Sequence, residues 1–96
     1  MFYVYVLRSL ELDGYYIGYS SDTRARLRQH NSGIVSATQR GIPWEVFYTE
    51  TTQTAKDAIR RERQLKSWKS RRAIERLKFG NKIEDPRPRP SRGRDQ

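Results

Sequence analysis

The chain has 96 residues, with 20 Lys and Arg against 11 Asp and Glu, a formal charge of +9, one His and no Cys. At this length it forms one domain with a thin core, burying about 60 to 65% of the unfolded chain's surface and leaving no room for a second catalytic domain. The absence of cysteine excludes disulfides and thiolate metal centres, so any metal must be held by oxygen or by the single histidine. The charge favours a polyanionic partner, nucleic acid first and an anionic membrane surface second. No run approaches the ~20 apolar residues of a membrane span, and the start MFYVYVLRSL lacks a basic leader and a cleavage site, so a soluble, cytoplasmic protein is expected.

In chain order, FYVYVLR from Phe2 to Arg8 and YYIGY from Tyr15 to Tyr19 are aromatic and β-branched, with Leu12-Asp13-Gly14 as a turn between them. This predicts a β-hairpin whose first strand, continuously apolar, is covered on both faces. Ser21 or Asp22 can cap a helix over about 22 to 31, ended near Asn31 and Gly33. Gly33 to Pro43 has the composition of a loop, and WEVFYT from Trp44 to Thr49 alternates as a third strand.

Thr52 or Thr54 opens the longest helical stretch, where Ala55, Ala58, Ile59, Glu62, Leu65 and Trp68 or Lys69 recur at steps of three and four, placing Glu62 on or beside the apolar stripe. Ser70 can cap a last helix through Ala73, Ile74, Leu77 and Phe79, ended by Gly80. Beyond it, residues 81–96 are apolar only at Ile83 and rich in Pro and Arg, which predicts a disordered basic tail. The order implies an α/β domain over residues 1–80, a small three-stranded, largely antiparallel sheet flanked by helices.

Several residues are too polar for their apolar settings: Tyr5 in a strand, Tyr16 before Ile17-Gly18, Arg26 and His30 one turn apart on a helix, and Glu62 by the apolar stripe. Phosphodiester cleavage needs these ingredients. A group must take a proton from water, a cation must face the charge developing on the phosphate oxygens, and a carboxylate usually holds a divalent metal.

Over about residues 2 to 80 the sequence resembles the GIY-YIG nucleases, in particular small stand-alone members related to the N-terminal domain of the excision-repair nuclease subunit. The resemblance rests on an ordered set: Tyr3-Val4-Tyr5, Tyr16-Ile17-Gly18, Asp22 to Leu27, His30 to Gly33, Pro43 to Tyr48 and Ala58 to Lys66. It implies a metal-dependent endonuclease acting on nucleic acid, DNA in the first instance, with preference by shape and little sequence specificity, and a place in DNA repair. Tyr5 and Tyr16 would stand together at the water or the scissile phosphate, one of them as base. Nearby positive charge from Arg26, the metal or a charged His30 would favour the phenolate. Arg26 would be the catalytic arginine, His30 would orient a tyrosine or polarise water, and Glu62 would hold Mg2+ or Mn2+. Tyr3 and Val4 replace the glycine and isoleucine of the first triplet, and Tyr19 stands where repair-type members carry a lysine.

Tyr19, Arg24, Arg28, Arg40, Lys66 and Lys69 are the expected nucleic-acid contacts, the protein acting as a monomer without a membrane partner. Each assignment has a plainer rival. The tyrosines pack well on any strand, Arg26 belongs to a basic helix face, His30 can be a hydrogen-bonded helix-end histidine, and Glu62 can pair with Lys66 at i to i+4. Trp44 and Trp68 are expected in the core rather than as platforms for bases. The functional rival is a non-catalytic nucleic-acid-binding accessory of a repair complex.

Overall fold

A computed structural model describes residues 1–79. The expected basic tail and the Gly80 stop lie outside the described residues. The elements are β1 (Phe2–Ser9), β2 (Tyr15–Ser20), α1 (Thr23–Ser32), a 3-10 helix (Ser36–Gly41), β3 (Trp44–Thr52), α2 (Ala55–Trp68) and α3 (Arg71–Phe79). The strands make one antiparallel sheet in the order β2-β1-β3. The α/β class and the three-stranded sheet flanked by helices are as the sequence predicts.

The most apolar strand, β1, is central. Successive side chains of a strand point to opposite faces, and both faces of β1 are covered. Val4 and Val6 pack against Ala58, Leu65, Trp68, Ala73, Ile74 and Leu77 of α2 and α3. Tyr5 and Leu7 pack on the other side with Leu27 of α1, Ile42 and Trp44. Each fully buried aliphatic side chain contributes about 1.5–3 kcal/mol, so these few residues dominate the stability of a thin core. Trp44 and Trp68 are both buried, as core residues.

Local signals end the elements. Asp22 accepts the Ala25 N–H at 3.0 Å at the start of α1, and Gly33, at φ 88°, closes it in the left-handed region that glycine enters without strain. Thr54 accepts from the Asp57 N–H at 3.1 Å and Ser70 from the Ala73 N–H at 3.1 Å. In the hairpin turn the buried Ser9 hydroxyl accepts the N–H groups of Glu11 and Leu12 and donates to the Gly41 carbonyl at 2.6 Å, fastening the turn to the 3-10 helix.

Two boundaries differ from expectation. The segment Gly33 to Pro43 is not all loop, because the 3-10 helix is fastened by contacts distant in sequence, through Thr38 to His30 and Gly41 to Ser9. Strand β3 runs to Thr52 rather than Thr49: its end pairs with the start of β1, Phe2 opposite Thr52, so a polar TETT segment is held by ladder bonds instead of burial. A bulge in β3 leaves Phe47 as the extra residue, with Val6 facing Tyr48 and Leu7 facing Val46.

Candidate functional site

Tyr5 stands opposite Gly18 across the hairpin and Leu7 opposite Tyr16, which makes the two tyrosines diagonal neighbours on the sheet face toward α1. Tyr5 depends on the bareness of Gly18, where a Cβ would stand 2.5 Å from the Tyr5 hydroxyl oxygen and 2.7 Å from Cζ. The Tyr5 ring therefore crosses the neighbouring strand, and its hydroxyl lies 3.0 Å from Nε2 of His30. The Tyr16 ring packs on the same histidine, centroids 5.0 Å apart, and on Trp44 at 6.4 Å.

The hydrogen bonds assign the protons. The Thr38 hydroxyl lies 3.2 Å from the Val35 carbonyl and 2.8 Å from Nδ1 of His30. A carbonyl only accepts, so Thr38 donates to Val35 and accepts from Nδ1–H. That leaves Nε2 bare to accept the Tyr5 O–H. The result is a directed chain from Tyr5 through His30 and Thr38 to the Val35 carbonyl, passing through a histidine with 0% exposure.

Arg26 favours the phenolate as expected, but burial outweighs it, and the option of a charged His30 is corrected. Burial pushes the Tyr5 hydroxyl above its ordinary 10.0; Arg26 pulls it back by hydrogen bond and charge, while Tyr16 and Glu62 add to the rise. His30 is not a source of positive charge, because burial first and Arg26 second hold its pKa below 6.5. Desolvation disfavours whichever form carries charge, and so raises a phenol and lowers an imidazole together.

Arg26 sits one turn before His30, partly buried, with Nη1 donating to Gln29 at 2.6 Å. Its charge reaches both Tyr5 and His30. Glu62 approaches from α2 with its side chain 16% exposed, and Oε2 pairs with Lys66 Nζ at 2.7 Å. The i to i+4 pair and a covered carboxylate thus coexist, and a metal at Glu62 must compete with that ammonium. Among the described residues no three or more His, Cys, Asp or Glu side chains group to hold a metal. A lone carboxylate fits Mg2+ or Mn2+ that keeps most of its waters and completes its shell from a phosphate. Tyr19, Arg24, Arg28 and Arg40 are solvent-exposed, as are Lys66 and Lys69.

Residues 1–76 match the GIY-YIG catalytic domain family. This chain belongs to the GIY-YIG family. It is 29% identical over 85 residues to a UPF0213 protein of Haloquadratum walsbyi, covering 88% of this chain and 94% of that protein. A UPF0213 protein of Bacillus pumilus is 36% identical over 67 residues, 69% of this chain and 67% of that one. The structure-specific endonuclease subunit SLX1 homolog 1 of Trypanosoma cruzi is 50% identical over 51 residues, which are 46% of this chain and 10% of that protein. The solution NMR structure of a UPF0213 protein from Bacillus halodurans, 33% identical, covers 80% of this chain and 82% of that one at a TM-score of 0.49.

In this GIY-YIG domain the glycine that closes the second triplet is what admits the last tyrosine of the first. Val4, in place of the isoleucine, is fully buried against α2 and α3, where a second β-branched residue packs equally well.

Two site residues escaped the sequence reading. Thr38 sets the tautomer of His30, and the Asn31 side chain both donates to the Trp44 carbonyl at 3.0 Å and accepts its N–H at 2.7 Å, docking α1 on β3. Neither Ser/Thr-rich composition nor an Asn at a helix end marks such a partner. Only the adjacency of Asn31 to His30 was a usable hint.

The buried neutral His30 makes stability depend on pH. Its folded pKa lies below 6.5, so as pH falls from 6.5 toward the folded value the unfolded state takes up a proton first and stability drops. Thermal melts between pH 7.5 and 5 are expected to show this slope in the wild type and to lack it in His30→Gln. Parallel curves would mean that His30 titrates as it does in the unfolded chain. The lowered carboxyls of Glu50 and Glu75 act only below 4.5, outside this window.

Proposed function

We propose that this chain is a metal-dependent endonuclease that hydrolyses phosphodiester bonds of DNA with little sequence specificity. The observation that carries the reading is the convergence of Tyr5, Tyr16, His30, Arg26 and Glu62 from four separate elements on one place beside a continuous proton path. Membership of the GIY-YIG family and the likeness to a structure-specific endonuclease subunit of Trypanosoma cruzi support it.

Within this reading Tyr5 takes the proton of the attacking water while its own proton passes to the bare Nε2 of His30, with Thr38 holding the imidazole in the accepting tautomer. No free phenolate is needed, which removes the conflict between a raised Tyr5 pKa and a basic role. Tyr16 contacts the phosphate from the same face. Arg26 places two N–H donors against the phosphoryl oxygens as charge builds on them. Glu62 would hold Mg2+ or Mn2+, which supplies charge neutralisation at the phosphate. Arg24, Arg28, Arg40 and Tyr19 supply contacts to the polyanionic backbone, and the charge of +9 makes this affinity salt-sensitive. Such contacts position a strand without reading its bases.

End-labelled single-stranded, duplex and branched DNA incubated with Mg2+, Mn2+ or EDTA tests the proposal. Wild type is expected to cut in metal and not in EDTA, and Glu62→Ala to lose cutting while still binding. Binding by both proteins with no cutting in either metal would replace the nuclease with an accessory binding module.

A further inference from the structure

A cleft of about 370 Å3 opens where β2 meets the junction of α2 and α3. Tyr15, Leu65 and Ile74 wall it, and Lys66, Lys69 and Arg71 stand at its edge. Apolar walls under a cationic edge suit a molecule with a flat organic part and a negative one.

Lys69 is the residue least explained by packing. It ends α2 at φ 48°, ψ 36°, the left-handed region that glycine usually occupies and that an L-residue enters at a cost of about 1–2 kcal/mol. Among the described residues it makes no ion pair, and its side chain is exposed at the cleft. The left-handed position thus holds a long cation where glycine would be relaxed, and that cation is among the residues lining the cleft.

Arg71 is built in. It pairs with Asp13 at 2.5 Å and Glu75 at 3.1 Å, and its guanidinium lies 5.4 Å from the Tyr15 ring centroid, yet its side chain remains 49% exposed. Planar guanidinium groups so held are surfaces on which unstacked bases settle. The cleft borders the candidate site along the β2 edge: Tyr16 is among its lining residues, and Lys66 at its edge is the partner of Glu62.

We propose that this cleft is a nucleotide subsite beside the reaction centre, taking one unstacked nucleotide of a single DNA strand, its base against Arg71 and the apolar walls and its phosphate on Lys69 and Lys66. The proposal rests on the nuclease reading above and sharpens its substrate. The volume falls within the ~300–1,000 Å3 of pockets for small organic ligands, whereas a base paired within a duplex cannot enter. Single strands, or unpaired nucleotides at junctions, are then the preferred substrates.

The full chain in EDTA, titrated into fluorescein-labelled single-stranded and hairpin-duplex DNA by anisotropy across a salt series, tests the subsite. Wild type is expected to bind the single strand more tightly. Lys69→Gly should weaken single-strand binding about five- to tenfold and lower the salt slope by about 0.7. Its melting temperature should hold or rise, because glycine relaxes the backbone; Lys69→Asn, also tolerant of this conformation, serves as the second variant. Titration of dAMP into 15N-labelled protein should shift the amides of Ile17, Lys69 and Ile74, and deoxyribose 5-phosphate should not. Unchanged affinity in both variants, or equal shifts from the sugar phosphate, overturns the subsite and leaves the nuclease standing if wild type still binds and cuts DNA. Failure of wild type to bind any DNA overturns both.

Discussion

Gly18→Ala is expected to lower the melting temperature by roughly 10 °C at the least and by as much as ~40 °C. The added methyl would stand 2.5 Å from the Tyr5 oxygen and 2.7 Å from Cζ, distances at which something must move. The ring has little room to do so, being 2% exposed and hydrogen-bonded to a fully buried His30. Overpacking a core site costs about 1–3 kcal/mol, and separating a buried hydrogen-bonded pair about 1–3 more. A domain of this size loses about 4–8 °C per kcal/mol. Gly14→Ala is the matched control, since nothing lies within 4 Å of a Cβ there. Circular-dichroism melts of both variants decide the matter: if Gly18→Ala melts with Gly14→Ala, the Tyr5 ring is free to swing away and the strand crossing is not a constraint.

Arg26→Lys is expected to reduce DNA cleavage by about 10²–10³-fold with DNA binding nearly retained. The lysine keeps the charge that acts on Tyr5 and His30, while the guanidinium hydrogen bond to Tyr5 and the planar fork able to meet two phosphate oxygens disappear. The fold should tolerate the change, because the Arg26 side chain is only partly buried and its Nη1 partner Gln29 is exposed. Single-turnover cleavage measured beside a thermal melt separates the possibilities. Full activity in Arg26→Lys would show that charge alone suffices and would remove the two-oxygen contact from the mechanism; equal losses of activity and stability would make Arg26 structural.

The parts of this protein legible in the linear chain are those set by nearest neighbours. The hairpin, helix starts near Ser21-Asp22 and Thr52-Thr54, the two-faced apolarity of β1 and the amphipathic α2 follow from steric preference, capping chemistry and periodicity, all acting within a few residues, while the structure selects Asp22 and Thr54 as the caps. The ordered motif set pointed to Tyr5, Tyr16, Arg26, His30 and Glu62 as candidates, and the structure brings Tyr5, Tyr16 and His30 into direct contact with Arg26 and Glu62 in electrostatic range.

Other features depend on partners far away in the chain. The 3-10 helix is held by His30 and Ser9, and the last residues of β3 by the first of β1. The protonation of the site belongs to this class too. From composition, a tyrosine near arginine should ionise more easily; in the fold, burial of Tyr5 and His30 outweighs Arg26 at the phenol, and Thr38, from a segment with the composition of a loop, selects the tautomer of the histidine. Local chemistry determined which residues are present and which elements they form. Desolvation and long-range hydrogen bonding, which exist only once the chain has closed on itself, decided the charge each carries and where its proton can go.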